Sequence, residues 1–356
     1  MDSPDSFARG VNPDLITRYM HARERRLATR DTNRVVRPFE WGAEFVAEHL
    51  NGDDPRRVVR DYARRAVAHS GEFYAPPEVT DFKLDAGELT WTSAVHTPTR
   101  ENNTARARFF PELTLRGRPN DTRRAVVILP EWNAKPASHV ALCRVLNRFG
   151  IAALLLTLPY HTGRRPPEME RAEHLVSTNV GRTLQSMRQA VLDTRAAIRW
   201  LSGRGYERVG IMGTSIGSCV AFLTFAHEPL LKTGVFNHVS GYVADVTWRG
   251  ISTAHVRAGV ADAVTLEELR EAWLPVSPQA YAARLAALPP RPIRFISARY
   301  DLTFPPDLSR DFAESVRRSG HPLDVVWIPS GHYTLGEAPW KHLDGWKITT
   351  FLRRHL

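Results

Sequence analysis

Cysteine is nearly absent, with two residues in a chain of 356. Cys143 and Cys219 both fall in apolar, helix-type stretches, so buried free thiols in a reducing compartment are expected. No Cys/His spacing suited to a metal accompanies them, and no metal is expected. A run of about 18 apolar residues is also missing, so no transmembrane segment is expected. Met1-Asp2-Ser3-Pro4-Asp5 carries acid and no apolar stretch, unlike a secretory signal, and the expected location is cytoplasmic. No glycine-rich run ends in Gly-Lys-Ser/Thr, which excludes a P-loop. No Gly-x-Gly-x-x-Gly opens a helix after a strand, so no dinucleotide fold and no cofactor are expected. Lysine is scarce, and the net charge of +10 rests on arginine, dense between Arg18 and Arg65. No nucleic-acid motif or row of stacking aromatics goes with that charge. A solvated basic face is expected, without a nucleic-acid partner.

What remains is an ordinary globular composition, 43% hydrophobic and 24% charged, long enough for one large α/β domain with insertions. Residues 1 to about 35 are polar and poorly periodic, and read as a flexible arm or a loosely docked helix. Phe39, Trp41, Phe45, Val46 and Leu50 form a helical stripe stopped by Asn51-Gly52. Asp54-Pro55 opens a second helix, carrying Val58, Val59, Tyr62 and Ala66. From Phe73 the period becomes two. Phe82–Leu84, Leu89–Val95 and Ala105–Phe110 read as antiparallel strands. After a turn at Gly117–Asp121, strands at Ala125–Leu129, Ile151–Leu158, Val209–Met212, Val235–Val243, Pro292–Ser297 and Leu323–Ile328 alternate with helices. Those helices run over His139–Phe149, Arg182–Leu201, Ile216–Ala226, Asp311–Arg318 and Trp340–Leu356. Such alternation implies a mostly parallel sheet covered on both faces. The expected division is 1–72 as arm and helical extension and 73–356 as the main domain. An insertion at about 247–290, with a capping box at Thr265–Glu268, is a lid or a packing subdomain.

The chain is organised around Gly213-Thr214-Ser215-Ile216-Gly217, a serine at a strand-to-helix corner with glycine two residues away on each side. The turn is so tight that the serine takes a strained backbone, and a Cβ at either glycine would strike the neighbouring strand or helix. Serine needs a base, and the base needs an orienting acid. On a parallel sheet these belong at the carboxyl ends of later strands, in the order serine, acid, histidine. Asp301 lies just past the strand Pro292–Ser297, and His332 just past Leu323–Ile328, beside Pro329 and Gly331. Asp245 is the rival acid. His161, His227, His238 and His321 have no strand-end setting and read as structural. Two backbone amides would complete the site, Ile216 after the nucleophile and Trp132 in the loop after Leu129; the Trp132 ring reads equally as a pocket wall. Arg164 and Arg165 read as solvated or lid-holding residues, or as partners of an anionic substrate group.

From about Phe82 to the C-terminus the chain resembles the α/β-hydrolase superfamily, on Gly213–Gly217, Tyr300-Asp301 and Gly331-His332. Leu158–His161, Arg164–Pro166 and Arg108–Pro111 are similar to a poorly characterised abhydrolase branch. The resemblance implies a sheet of about eight strands and a Ser215, His332, Asp301 triad. The chain departs from it in lacking a His-Gly pair before Trp132 and in its long N-terminal extension. The expected activity is hydrolysis of a small-molecule or lipid carboxylic ester through an acyl-enzyme. Acyl transfer or lipid deacylation by the same triad, and a non-catalytic binding protein of this fold, are the alternatives. No pattern specifies an acyl chain, a leaving group or an oligomeric state.

Overall fold

A computed structural model describes residues 13–113 and 123–356. The arm before residue 13 and the turn at Gly117–Asp121 lie outside the described residues. Helix α1 (Pro13–Ala28) is followed by α2 (Pro55–Ala68) and the short α3 (Ser70–Phe73). Strands β1 (Lys83–Asp85), β2 (Glu88–Thr92) and β3 (Thr104–Phe110) then lead into β4 (Arg124–Leu129), α4 (Val140–Arg148), β5 (Ala152–Thr157) and α5 (Val180–Gly203). Next come β6 (Arg208–Thr214), α6 (Ile216–His227), β7 (Leu231–Asn237), α7 (Val243–Arg249), α8 (Ala254–Val260) and α9 (Leu266–Ala272). The chain ends with β8 (Ile293–Ala298), α10 (Pro306–Arg317), β9 (Leu323–Ile328) and α11 (Trp340–His355).

One nine-stranded sheet results, in the order β1-β2-β3-β5-β4-β6-β7-β8-β9. Pairings from β1 to β5 are antiparallel and the rest are parallel. The resemblance implied about eight strands, one fewer than the nine read from the sequence; β1, expected at Phe82–Leu84, is three exposed residues at the sheet's edge. Alternating residues of β4 feed opposite cores, as the pleat dictates. Ala125, Val127 and Leu129 join α5, α6 and α10, whereas Val126 and Ile128 join α4 and α11. A strand buried on both faces needs a continuous apolar run, which is what Ala125–Leu129 supplies.

Two expected elements differ. The stripe Phe39–Leu50 holds only a single 3₁₀ turn, Ala43–Phe45. Glu40 pairs in extended form with Asn179, and Gly42 at φ +66° lies so close to Asn179 that a Cβ would meet its side chain at 1.8 Å. Pairing with the start of α5 overrides the local helical period. The strand expected at Val235–Val243 ends at Asn237, because His238 turns to φ +56°. Of the two readings of the segment before residue 35, the docked helix is what Pro13–Ala28 forms, with Met20, Glu24, Leu27 and Ala28 buried at helical spacing.

Candidate active site

Ser215 occupies the corner between β6 and α6 at φ +56°, ψ −125°. The two flanking glycines are there because nothing larger fits. A Cβ on Gly213 would lie 2.2 Å from the Gly217 carbonyl oxygen, and one on Gly217 would lie 2.3 Å from that of Pro130. The Ser215 amide donates to Asn237 O at 2.8 Å, fastening the corner to the end of β7. The serine is thus held in a conformation that side chains rarely adopt, with its Oγ facing the cavity.

His332 and Asp301 arrive from the ends of β9 and β8. Ser215 Oγ is 3.1 Å from His332 Nε2, and His332 Nδ1 is 3.0 Å from Asp301 Oδ2. An ionised carboxylate only accepts hydrogen bonds, so Nδ1 carries the proton and Nε2 is left to accept from the serine. Asp301 Oδ1 accepts from the amides of Thr303 and Phe304, both at 2.7 Å, which fixes the carboxylate. Phe304 then stacks on the His332 ring, 5.5 Å away and 3° from parallel. Burial alone would raise the pKa of Asp301. The His332 charge, with hydrogen-bonding contacts from His238 and His332, outweighs burial and holds it well below the usual carboxylate range. In His332 burial works against the proton, but Asp301 outweighs it and Glu24 adds to the effect, so the net shift is upward.

Asp245, the rival acid, is buried against Nε and Nη2 of Arg270 and makes no hydrogen bond to His332. Arg164 is sealed in an ion pair with Asp193 at 2.8 Å, and Arg165 holds the Glu170 carbonyl. Neither arginine lines the cavity containing Ser215. Trp132 does line it, with its indole Nε1–H on Ala172 O at 2.8 Å and its ring stacked on His255. His161 is structural as expected. Its Nε2 accepts from the Asn133 amide at 2.9 Å and so braces the loop after β4. Both cysteines are free and buried, and burial pushes each thiol up to about 12.

Several residues of the site were not anticipated. His238 has the strand-end setting it was expected to lack, since it directly follows β7. Its Nδ1 is 2.9 Å from Asp301 Oδ2, off the line of a good hydrogen bond, and its ring centroid is 4.6 Å from that of His332. Ligand atoms of His238, Asp301 and His332 lie within 4.8 Å of one another, a group that could hold a metal ion, although His332 is engaged with both Asp301 and Ser215. On the other side of Ser215, His139 stands at φ +61°. Its Nε2 is 3.0 Å from Thr214 Oγ1, and its Nδ1 is 3.4 Å from Glu131 Oε2. His139 therefore ties the loop after β4 to the serine corner. Glu24, fully buried on α1, accepts from the amides of Tyr333 and Thr334, each at 2.9 Å. The histidine loop is thus clamped by the N-terminal segment. The sequence carried one sign of this, a glutamate sharing a helical face with Met20 and Leu27.

These side chains open on a cavity of about 530 Å³ whose apolar wall includes Trp132, Val176, Ile216, Val246 and Phe304. A serine on a strained strand-to-helix corner, with histidine and aspartate at the ends of later parallel strands, makes this an α/β-hydrolase-fold protein. Residues 139–288 match the family described as Alpha/beta hydrolase domain containing 18. Nothing among curated proteins matches. Solved structures of the same fold include the acylaminoacyl peptidase of Pyrococcus horikoshii, with TM-score 0.56, 15% identity and 79% of this chain covered. This chain spans only 42% of that peptidase. A Pyrococcus furiosus esterase matches with TM-score 0.50 and 16% identity, over 79% of this chain and 97% of its own. A lipase in an open form matches with TM-score 0.53 and 13% identity, over 75% and 98%. At these identities the likeness defines the fold. No described helix is long and apolar enough to cross a membrane.

Proposed function

We propose that this chain is a serine hydrolase that cleaves carboxylic esters of small molecules or lipids through an acyl-enzyme. The observation that carries this reading is the Ser215–His332–Asp301 chain of contacts, 3.1 and 3.0 Å long, on a serine held at positive φ. Ser215 Oγ attacks the ester carbonyl while His332 Nε2 takes its proton. The C–O bond to the alcohol then breaks, and His332 returns the proton to the departing oxygen. Water, activated by the same nitrogen, attacks the acyl-serine and releases the acid. Asp301 stays ionised throughout and steadies the imidazolium.

The oxyanion is stabilised by the amides of Ile216 and Trp132. Ile216 opens α6, where the first amides have no partner within the helix. The Asn133 amide is already taken by His161, which leaves Trp132 as the donor from the other loop. The segment 247–290 acts as a lid, a role supported by Thr247, Ser252 and Thr253 lining the cavity. A cytoplasmic location fits the two free thiols.

A fluorophosphonate probe should label the wild type and not Ser215→Ala. A p-nitrophenyl ester series should be turned over by the wild type alone, with a loss of roughly a thousandfold or more in Ser215→Ala. Labelling that persists in Ser215→Ala, or absent turnover in a folded wild type, overturns the reading.

A further inference from the structure

The cavity has a cationic end built from two distant parts of the chain. Arg34 comes from the segment after α1 and Arg171 from the loop between β5 and α5, and both line the space that contains Ser215. Arg34 is held by Ile251 O at 3.0 Å, Asp31 at 2.9 Å and the Tyr333 hydroxyl at 2.7 Å. The side chain of Arg171 is 8% exposed, sits 5.8 Å over the Trp132 ring, and bonds Asn33 Oδ1 at 2.9 Å. Asp31 is the acid that faces both, 3.9 Å from Arg171. The nearby Glu173 is engaged by Arg37 at 2.5 Å.

Two guanidinium groups therefore share one carboxylate. The Nε of each is buried without a partner, as is Nδ1 of the adjoining His255. Burial and the two arginines together push His255 down to about 4, so it adds no charge of its own. A buried charge without a counter-charge is costly, and an arriving anion would relieve that cost.

The geometry points to an anion subsite at Arg34 and Arg171, which selects esters bearing a free carboxylate at the end remote from the scissile bond. One unbalanced positive charge matches a single carboxylate better than a phosphate monoester, which carries close to two negative charges near neutral pH. The cavity suits a compact substrate, with apolar contact along Trp132 and Val246, which line it together with Ser215 and both arginines. This assignment rests on the ester-hydrolase reading above, and it explains what the arginine-rich N-terminal segment contributes to the site.

The test compares p-nitrophenyl hemiglutarate with p-nitrophenyl valerate, which have the same leaving group and acyl chains of five carbons. The ratio of their kcat/KM values should favour the hemiglutarate in the wild type. It should fall about tenfold or more in Arg171→Gln and Arg34→Gln, and largely return in Arg171→Lys. Reading a ratio cancels any loss of folded protein. A wild-type preference for valerate, or a ratio that the Gln substitutions leave unmoved, overturns the subsite. Binding to Ser215→Ala, followed by Trp fluorescence, separates this question from catalysis. Glutarate should bind and Arg171→Gln should weaken it about tenfold. Tighter binding of inorganic phosphate than of glutarate overturns the carboxylate assignment. Should glutarate bind while no ester is cleaved and no probe labels Ser215, the hydrolase reading fails and the subsite stands.

Discussion

Glu24 offers the sharpest test of how the histidine loop is held. Its carboxylate, with no exposed surface, accepts from the amides of Tyr333 and Thr334 at 2.9 Å each. It also lies where a Cβ on Gly331 would be, at 2.2 Å, so the loop is shaped around it. Glu24→Ala leaves both amides buried without an acceptor, at about 1–3 kcal/mol each. The expected loss is therefore about 2–6 kcal/mol, or a fall in Tm on the order of 5–10 °C. Glu24→Gln keeps one acceptor and should lose about half as much. The charge has a second consequence. Burial lowers the pKa of His332 and Asp301 raises it beyond its ordinary value, with Glu24 adding to the rise. The base works only when neutral, so activity appears as pH climbs through the folded pKa of His332. Removing the Glu24 charge lowers that pKa and moves the acid limb to lower pH in both variants. The assay is the second-order rate of fluorophosphonate labelling across the acid range, alongside thermal denaturation. In Glu24→Ala the plateau should also fall about tenfold, because a displaced loop misplaces the imidazole. An unmoved profile together with an unchanged Tm would refute the clamp.

Gly217→Ala should destroy the serine corner, since the added Cβ would meet the carbonyl oxygens of Pro130 and Leu129 at 2.3 and 2.5 Å. A loss above about 3 kcal/mol is expected, and a variant of wild-type stability in urea would contradict it. Asp301→Asn should lower kcat by roughly 10³–10⁴-fold with the fold intact, because the imidazole loses its orienting charge. Asp245→Asn should instead destabilise through Arg270 and leave the pH profile of labelling where it was; the opposite pattern would move the acid to Asp245. Burial raises Asp344 to about 7, only partly offset by the amide of Asn237 at 3.0 Å. A raised folded pKa means stability that is full below the unfolded value near 4 and is lost as pH climbs to about 7. Asp344→Asn should therefore gain on the wild type across that window, by roughly 4 kcal/mol in total. Parallel Tm curves from pH 4 to 8 would rule this out.

What the chain shows in sequence is what local physics enforces. A strand buried on both faces needs an unbroken apolar run, so β4 was visible at Ala125–Leu129. The serine corner was visible because Gly213 and Gly217 answer to backbone collisions within a few residues, and the structure puts those collisions at 2.2 and 2.3 Å. The elements that escaped are set by distant partners. The stripe Phe39–Leu50 has a helical period, yet Glu40 and Trp41 spend their backbone bonds on Thr178, Val180 and Gly181. His238 was hidden by the apolar residues after it, which extended the apparent strand to Val243. The true end comes where His238 turns to φ +56°, just after Asn237, whose carbonyl takes the Ser215 amide.

The same reasoning explains why charge was the least legible part of the site. Composition assigns an arginine to the surface unless something pairs with it, and the pairing partners here lie far off in sequence. Arg164 is buried with Asp193 at 2.8 Å and the carbonyls of Thr157 and Asn102 as partners, and it lies outside the cavity. Glu24 is buried only because two amides of the histidine loop meet it more than 300 residues later. Arg34 meets Arg171 in a structure where Glu24 and the Arg23–Glu337 bond, at 2.6 Å, hold α1 against the site. Docking the helix fixes where the following segment runs, and that segment carries Asp31 and Arg34 to the cavity wall. On the proposed reading the N-terminal segment contributes twice to one site, once by holding the His332 loop and once by carrying Arg34 to the cavity wall. Removing residues 1–34 should accordingly abolish the preference for an anionic ester as well as slow the labelling of Ser215. A truncated chain that kept both would show that the site stands without its arginine-rich start.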